Sequence, residues 1–289
     1  MTLDEECKGC LYNSQMKKVE REQGDIIKLN AFKEGVKKLC SNPPENYCAP
    51  LLMRDIDLYH REIFGCGIDY SREKSLFNLK LLSMEDELYS TIISSADPVE
   101  SALKFAMASN YIDFARLCDL NEDSIKIVLT ASERASVDKE VLNSFKSKLS
   151  QSKTLLYLHD NCGEIVLDKI LIRVIKRAYP DIRITSVVRG KAIINDVTIS
   201  DAKEVGLTDV CPVIDNKTGV PGTYLKEVSD EVKALLKSSG VIISKGLGNL
   251  ETLYGEGYEI FYAFTCKCEH ISKRFNIPLW SASFIHECH

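Results

Sequence analysis

The sequence predicts an α/β fold, a mostly parallel, doubly wound sheet in an α/β/α sandwich, with a helical N-terminal region. From residue 153 onward, short runs rich in β-branched or apolar residues alternate with segments of helical periodicity. Strands that are apolar on both faces are typical of a parallel sheet covered by helices. Before that point, apolar residues recur mainly at helical spacing. We therefore expect a helical region over residues 1–150 and an α/β domain over residues 151–289.

Prolines divide the predicted helical region. A loop with three prolines is expected over residues 41–50, where it separates an N-terminal helix from the rest. The segment 88–118 has helical periodicity, and Asp97-Pro98 within it is typical of a helix start, because proline is tolerated in the first turn. Two further helices are predicted over residues 121–135 and 138–153.

Six short strands are predicted in the second half of the chain, with helices between them. The strands are expected at residues 154–159, 182–188, 209–214, 240–245, 259–264 and 277–280. The helices are expected at residues 164–180, 200–206, 224–240 and 268–276. This alternation is the signature of repeated strand–helix–strand units, from which parallel sheets are built.

The composition excludes several classes of protein. The chain has 289 residues, 45% of them hydrophobic and 27% charged, which is enough apolar material for a sizeable core. A net charge of -5 argues against a nucleic-acid surface, which needs a basic patch. No apolar run approaches the ~20 residues of a membrane span, and the acidic N-terminus does not resemble a signal peptide. We expect a cytoplasmic protein.

The chain is rich in cysteine, with eleven residues of this type. Disulfides are rare in the cytosol, so burial or metal binding is the better explanation. Cys7 and Cys10 form a C-x-x-C motif, and Cys266 and Cys268 form a C-x-C motif far along the chain. Zinc sites usually pair two such half-sites, so a structural or redox metal site is one interpretation. Scattered, partly buried free thiols are the interpretation that we favour.

Polar residues follow three of the predicted strands at the point where each strand ends. They are Asp160 and Asn161 after the first strand, Arg189, Lys191 and Asp196 after the second, and Lys245, Gly246, Gly248 and Asn249 after the fourth. Ligands in open parallel sheets bind outside the carboxyl ends of the strands. We therefore expect these groups to line one crevice.

Three oxygen-bearing side chains among them predict a divalent metal site. Asp160, Asn161 and Asp196 offer the carboxylate and amide oxygens that Mg²⁺ and Mn²⁺ prefer. Three protein ligands leave coordination positions open for water and for a substrate oxygen, as a catalytic metal requires. The alternative is that Asp160 or Asn161 is simply the N-cap of the helix that begins near Gly163.

The segment from Lys245 to Asn249 predicts a phosphate-binding turn. Its glycines let backbone N–H groups approach a ligand closely, and its lysine and helix start attract an anion. Arg189 and Lys191 can add positive charge. Glycines at strand–helix turns are common and most lysines are solvated, so only the convergence of these features favours a binding site. His159 is expected to be a buried residue at a strand end rather than a base.

The sequence resembles the metal-dependent damage-control phosphatases, formerly a domain of unknown function. The segments LHDNCGEIVLDK, VVRGKAIINDVTISDAKEVGL and SKGLGNLETL are similar to successive motifs of that family. CKGCL, near the N-terminus, is similar to its small prokaryotic branch, which carries an N-terminal C-x-x-C. The resemblance implies a divalent metal (Mg, Mn, Co or Ni) held by Asp160, Asn161 and Asp196. It also implies phosphate binding by the segment 245–249.

A further motif, ASNYIDF, resembles a helical segment that lines the same pocket in that family, which points to Asn110 and Asp113. The alternative is an amide and an acid on a solvated helix face. Many members of the family have alanine where this chain has Cys162, a change that leaves the implied metal ligands intact and adds a thiol beside them.

The leading functional hypothesis is a divalent-metal-dependent phosphatase that hydrolyses small phosphorylated metabolites in metabolite damage control. Asp160, Asp196 and Lys245 are the candidate catalytic residues, and the nucleophile is either water or Asp160. Water is favoured, because the second acid that aspartyl-phosphate enzymes carry two residues later is absent. The alternatives are an S-adenosylmethionine-dependent carboxyl methyltransferase and a non-catalytic metal-binding protein. No nucleic acid or membrane partner is expected, and the oligomeric state is left open.

Overall fold

Helices fill the first half of the chain, and strands alternate with helices in the second half. The computed structural model describes residues 1–19, 25–109 and 130–288. The helices are α1 (Glu5–Val19), α2 (Ile26–Ser41), α3 (Ala49–Phe64), α4 (Ser71–Leu82), α5 (Glu85–Ile93), α6 (Pro98–Ala108), α7 (Lys139–Gln151), α8 (Glu164–Ala178), α9 (Ile199–Glu204), α10 (Asp230–Ser238), α11 (Gly246–Leu253) and α12 (Glu269–Phe275). The strands are β1 (Thr154–Leu158), β2 (Arg183–Val188), β3 (Val213–Asp215), β4 (Val241–Lys245), β5 (Ile260–Thr265) and β6 (Ala282–Glu287). Within these described ranges, no helix has both the length and the apolar character that crossing a membrane demands.

The strands form one sheet in the order β3-β2-β1-β4-β5-β6. Neighbours from β3 to β5 run parallel, and β6 pairs antiparallel with β5. The chain moves outward in one direction from β1 and in the other from β4, so the order reverses between these two central strands. A crevice opens at the carboxyl ends of strands at such a switch point. The predicted α/β class with a mostly parallel sheet is confirmed.

The last predicted strand was misplaced. Residues 277–280 form a turn, in which Trp280 has a positive φ of 62°. The sixth strand is β6, and it begins two residues later at Ala282, opposite Thr265 of β5. Pro278 explains the error, because an apolar run with a proline cannot donate to a sheet ladder at that position.

Two apolar layers cover the faces of the sheet. Leu155 and Tyr157 of β1 point into a core built with α5 to α8, whereas Leu156 and Leu158 point into a core built with α10, α11 and α12. Alternate side chains of a strand lie on opposite faces, so this division confirms an α/β/α sandwich. The helical N-terminal region shares the first core, and α1, α2 and α3 bury a smaller cluster around Phe32.

Candidate metal and phosphate site

The two loops that follow β1 and β2 lie side by side at the crevice. Asp160 and Asn161 come directly after β1, before the chain turns into α8. The backbone N–H of Val197 donates to the carbonyl of Asp160 at 2.9 Å, and Asn161 forms an isolated antiparallel bridge with Asp196. The structure thus brings together the three side chains that the sequence predicts as metal ligands.

Both acids of this group are buried, and their charges are crowded. Burial raises the pKa of Asp160 well above its ordinary value, and the charges of Asp196 and Glu164 raise it further. Burial also raises the pKa of Asp196, although the Arg189 guanidinium opposes the shift. Asn161 donates from Nδ2 to Asp160 Oδ2 at 2.7 Å and to Glu164 Oε1 at 3.0 Å. Its Oδ1 is therefore the atom that this amide can offer to a cation.

Arg189 places a buried guanidinium beside these acids. Nε donates to Asp196 Oδ2 at 2.7 Å, and Nη2 lies 3.7 Å from Asp160 Oδ1. The side chain is only 1% exposed, yet neither Nη1 nor Nη2 has a hydrogen-bond partner among the described residues. Burying unused guanidinium N–H groups is costly, so such groups point to an absent ligand. Their forked geometry matches two oxygens of a phosphate group.

Lys245, at the end of β4, is fully buried and is not the solvated lysine of the alternative interpretation. Its Nζ donates to Asp168 Oδ1 at 2.6 Å and to Glu164 Oε2 at 3.2 Å. Burial would lower the pKa of Lys245, but the two carboxylates outweigh that effect and raise it. The lysine is therefore charged at neutral pH, and it links β4 to α8.

Asp168 anchors a polar network beneath the sheet end. It accepts a hydrogen bond from the Tyr157 hydroxyl at 2.7 Å, and its other oxygen lies 3.1 Å from His159 Nδ1. His159 Nε2 lies 3.0 Å from the Ser186 hydroxyl. Burial lowers the pKa of His159, so its ring is neutral at physiological pH. His159 is thus a buried, fully partnered residue, as the sequence analysis expects.

The formal charges around the crevice leave an excess that one divalent cation would balance. In the part of the chain that the structure describes, the four buried carboxylates of Asp160, Glu164, Asp168 and Asp196 are paired directly with two cations, Arg189 and Lys245. The formal excess of two negative charges is what one divalent ion neutralises. The donor oxygens are also of the hard type that such ions prefer. The residues present therefore fit a divalent metal.

The glycines of the predicted phosphate turn allow close packing. Gly246 has a φ of +77°, and a Cβ on it would lie 1.9 Å from Asp160 Oδ2. A Cβ on Gly248 would lie 2.1 Å from the carbonyl oxygen of Pro221. Both glycines therefore let the backbone approach neighbouring groups closely. The N–H groups in the first turn of α11, which have no partner within the helix, begin next to Asp160.

The side chain of Asn249 makes its hydrogen bonds to other groups of the protein. Its Nδ2 donates to the carbonyls of His159 at 3.0 Å and Lys245 at 2.8 Å, and its Oδ1 accepts from the Thr223 hydroxyl at 2.7 Å. The side chain joins the ends of β1 and β4 to a loop. A role for Asn249 in phosphate binding stays a prediction.

The start of α8 bears on the alternative interpretation, in which Asp160 or Asn161 is only the N-cap of that helix. The N-cap is Gly163, which makes no side-chain cap hydrogen bond. The Gly163 N–H donates instead to the side-chain oxygen of Asn78 in α4, at 2.7 Å. Asp160 and Asn161 therefore do not occupy the N-cap position of α8.

The site predictions also include Asn110, Asp113 and the added cation Lys191. Asn110 and Asp113 fall outside the described residues. Lys191 lines a separate cavity of about 660 Å³, together with Arg61 and Lys217. A contribution of positive charge from Lys191 to the crevice stays a prediction.

Glu164 and Asp168 are the site residues that sequence reasoning missed. They stand four residues apart in α8, so both lie on one face of the helix, toward Lys245. The only signal in the sequence is that two acids at this spacing interrupt an otherwise apolar face. Such a pattern is equally typical of a partly solvated helix.

A cavity of about 260 Å³ opens over Asp160. The walls near the sheet are formed by Ile194, Pro221 and Gly248. The opposite walls come from the N-terminal and C-terminal parts of the chain, namely Cys7, Cys10, Leu11, Ala49, Pro50, Met53, Glu251 and Cys268. The helices α1 and α3 therefore enclose the crevice and limit it to a small ligand.

Comparisons with known proteins give one consistent result. A family model described as the damage-control phosphatase ARMT1-like domain matches residues 3–280. A damage-control phosphatase of Archaeoglobus fulgidus is 28% identical over 239 residues, which cover 79% of this chain and 81% of that protein. A damage-control phosphatase of Pyrococcus horikoshii is 33% identical over 185 residues, 62% of either chain.

A third relative and a solved structure extend the comparison. An uncharacterized protein of Methanocaldococcus jannaschii is 34% identical over 179 residues, and the match spans 58% of its length, under two thirds. The crystal structure of a DUF89 family protein from Pyrococcus horikoshii is similar with a TM-score of 0.85 and 27% identity. That likeness covers 100% of both chains, so it includes the helical N-terminal region as well as the sheet.

Proposed function

The chain belongs to the damage-control phosphatase ARMT1-like family, and from this premise we propose that it is a divalent-metal-dependent phosphatase of small phosphorylated metabolites. The observation that carries the proposal is the buried Nη1 and Nη2 of Arg189, beside Asp160 and Asp196, which have no hydrogen-bond partner among the described residues. A guanidinium with unused N–H groups recognises an anion, and the adjacent oxygen donors suit a metal. A phosphate group bound to a divalent ion would satisfy both the guanidinium N–H groups and the oxygen donors.

Asp160, Asn161 and Asp196 would hold the ion. When bound, it would supply charge neutralisation at a phosphoryl oxygen. Arg189 would donate its free Nη1 and Nη2 hydrogens to the other phosphoryl oxygens. The first-turn N–H groups of α11, beginning at Gly246, would add dipolar stabilisation. Catalysis would come from positioning and electrostatics, as is general for phosphoryl transfer.

Lys245 would act through Glu164 and Asp168 rather than on the substrate. Its Nζ is occupied by those two carboxylates, at 3.2 and 2.6 Å. The ion pairs keep α8 and the end of β4 in fixed register. Because Asn161 donates to Glu164, the lysine also orients the amide of Asn161 indirectly, through Glu164. We assign Lys245 a positioning role.

We propose water as the nucleophile. Asp160 Oδ2 accepts from Asn161 and packs on Gly246, and Oδ1 lies 3.7 Å from Arg189 Nη2, beyond hydrogen-bond distance. A carboxylate held in this way is well placed as a ligand and poorly placed to attack phosphorus in line. An aspartyl-phosphate intermediate is therefore not expected.

The methyltransferase alternative finds less support. An adenosyl cofactor would use the glycine turn after β1. Gly163 is the only glycine there; a Cβ on it would lie 3.2 Å from the Phe77 ring, and its N–H is engaged by Asn78. A protein that only binds a metal would not need the unused N–H groups of Arg189, which suit an anion.

The proposal also places the chain in the small prokaryotic branch of the family, because of the C-x-x-C motif formed by Cys7 and Cys10. The substrates we propose are small, because the cavity over Asp160 measures about 260 Å³. That volume suits a phosphorylated metabolite and excludes a folded macromolecule.

The test is phosphate release by metal-free protein resupplied separately with Mg²⁺, Mn²⁺, Co²⁺ and Ni²⁺. Substrates are a generic aryl phosphate and a panel of sugar phosphates. We expect release that requires an added ion and is lost in Asp196→Ala. Asp181→Ala, which removes an exposed acid outside the site, is the matched control and should keep full activity. Absence of release with every ion would reject the proposal, and binding of an S-adenosyl donor would then favour the transferase.

A further inference from the structure

A second group of metal-ligating side chains lies on the far wall of the cavity. Cys7 and Cys10 of α1 and Cys268 before α12 all line the cavity over Asp160. The C-x-x-C motif and the second cysteine of the C-x-C motif, although distant in the sequence, are thus brought to one place by the fold. The scattered-thiol interpretation does not describe this arrangement.

An aspartate and a histidine complete the group. A carboxylate oxygen of Asp4, Sγ of Cys7 and a ring nitrogen of His270 all lie within 4.8 Å of one another. Asp4 Oδ1 accepts the backbone N–H of Cys7 at 2.7 Å, and Asp4 Oδ2 lies 2.5 Å from His270 Nδ1. The carboxylate therefore fixes both the start of α1 and the orientation of the imidazole.

The free ring nitrogen of His270 points to a ligand that is not protein. Nε2 is buried and has no hydrogen-bond partner in the part of the chain that the structure describes. Nδ1, by contrast, is engaged by Asp4. Histidines that bind metals commonly donate one ring N–H to a carboxylate and bind the ion through the other nitrogen. His270 and Asp4 have this arrangement.

The thiols are close enough to influence one another. Burial raises the pKa of Cys7 to about 12, and the Asp4 carboxylate and the Cys268 thiol add to the rise. Burial also raises the pKa of Cys268, to which nearby Cys10 contributes. Thiols bind metals as thiolates, so an ion held by these residues would displace the thiol protons.

Cys266 does not belong to the group. Its Sγ is fully buried in the apolar core and lies 3.7 Å from the carbonyl of Cys268 and 4.0 Å from that of Ile277. The side chain is thus directed into the core rather than into the cavity. The second half-site is consequently Cys268-x-His270, and not the C-x-C pair that the sequence displays.

We propose that Cys7, Cys10, Cys268 and His270 bind one thiophilic divalent cation of the Zn²⁺ type, with Asp4 orienting the histidine. Three thiolates and one imidazole are a common ligand set of structural zinc. Cys7 and Cys10 are three apart on α1 and so lie on one helical face. The donors are soft, unlike the oxygens of Asp160 and Asp196, so the two sites select different ions.

Such an ion would fix α1 against the start of α12. These helices already contact each other through Lys273 and Glu6, whose Nζ and carboxylate oxygens lie 3.1 Å apart. Because the same segments form a wall of the cavity over Asp160, the ion would hold that wall in place. The inference concerns a structural metal and does not depend on the phosphatase proposal.

The test is a spectroscopic titration of the full chain, reduced and freed of metal, with Co²⁺ and then Zn²⁺. We expect sulfur-to-cobalt charge-transfer absorption and the visible bands of tetrahedral cobalt, both abolished by one equivalent of Zn²⁺. Cys268→Ser should remove most of the charge-transfer signal. Asp4→Asn should weaken the apparent affinity by about 10-fold to 100-fold.

Matched variants separate this site from the oxygen site and from general damage. Cys266→Ser and Cys66→Ser, the latter on an exposed thiol outside the group, should keep the signal. Asp196→Ala should also keep it, because oxygen ligands give no thiolate band. His270→Cys should restore binding that His270→Ala weakens, which shows that the chain is folded. A charge-transfer signal that survives in Cys7→Ser/Cys10→Ser/Cys268→Ser, or its absence from the wild-type chain, would overturn the proposal.

Discussion

The carboxylate of Asp160 packs on the Cα of Gly246, where a Cβ would lie 1.9 Å from Oδ2. This contact joins the end of β1 to the first turn of α11. The two parts of the proposed mechanism, the metal acid and the helix N-terminus, therefore have a fixed separation. Gly246 is needed twice, for this contact and for its φ of +77°.

We expect Gly246→Ala to displace Asp160 and to weaken metal affinity by at least about tenfold, because a misplaced ligand forfeits roughly 1.4 kcal/mol or more of binding free energy. The matched control is Gly65→Ala, since Gly65 has a similar φ of +82° but nothing within 4 Å of its Cβ position. Gly65→Ala should cost about 1–2 kcal/mol of stability through backbone strain alone. Calorimetric metal titration and urea unfolding measure both effects. Equal metal affinities of the two variants would contradict the packing argument.

Arg189→Lys is expected to lower kcat/KM by about a hundredfold, the usual effect of removing a donor to a transition-state oxygen. Lysine keeps the charge but cannot both pair with Asp196 and present two further N–H groups. The inhibition constant of inorganic phosphate should rise as well. Arg183→Lys, on the exposed first residue of β2, is the control and should change neither value. An unchanged phosphate inhibition constant in Arg189→Lys would remove Arg189 from the site.

The strand ends were predictable from the sequence because a physical rule links them to the site. Apolar runs mark β1, β2 and β4, and the carboxyl ends of parallel strands meet at one edge. Asp160, Asn161 and Asp196 follow these runs, so their proximity could be anticipated without coordinates. The errors arose where no such rule applies, as at β6, whose place is set by antiparallel pairing with β5.

The partners of Lys245 could not be predicted from the sequence. Glu164 and Asp168 of α8 reach Lys245 of β4 through tertiary packing between segments that are about 80 residues apart in the sequence. The position of the second half-site, Cys268 and His270, likewise depends on packing between distant segments. In the sequence Cys266 and Cys268 are equivalent, and only the course of the chain after β5 sends one into the core and the other to the cavity.

Lys245→Met is expected to destabilise the fold by about 3–5 kcal/mol, because it leaves Glu164 and Asp168 buried without their cation. Lys245→Met combined with Asp168→Asn should recover part of that loss, since one uncompensated charge is then removed. The coupling free energy from a double-mutant cycle in urea measures the interaction. Strictly additive losses would show that the 2.6 Å contact between Nζ and Oδ1 does not contribute to stability.

We expect Asp97, the N-cap of α6, to make a pH-dependent contribution to the stability of the fold. Burial alone would raise the pKa of Asp97, but the Lys146 ammonium and the backbone N–H of Glu100 outweigh it, and the net shift is downward. A lowered folded-state pKa stabilises the fold above the ordinary value of 3.8 and loses this effect as the pH falls through the folded-state value.

Asp97→Asn tests this contribution, because asparagine retains the cap and removes only the charge. At pH 7 the variant should be less stable by roughly 0.5–1 kcal/mol, the usual size for a partly exposed ion pair. At pH 3 the difference should shrink toward zero. Lys146→Met is expected to follow the same pattern in urea unfolding. A difference that is equal at both pH values would assign the effect to capping geometry instead of charge.

The helical region and the sheet share one core, so we expect residues 151–289 not to fold when expressed alone. Phe145 of α7 packs edge-on against both Phe261 and Phe284, with ring centroids 5.1 and 5.3 Å from theirs. Leu103 and Met107 of α6 are fully buried in the same core. Without these helices, one face of the sheet would expose apolar area worth about 25 cal/mol per Å² to water.

The comparison is between the fragment and the full chain, by near-ultraviolet circular dichroism and urea unfolding. The fragment should lack fixed tertiary signals and bind a hydrophobic dye, whereas the full chain should unfold cooperatively. Phe145→Ala in the full chain should cost about 3–5 kcal/mol, because it opens a cavity against the sheet. A fragment that unfolds cooperatively, with a tertiary spectrum of its own, would establish residues 151–289 as an independent domain. The helices would then be a cover for the cavity over Asp160 rather than part of one folding unit.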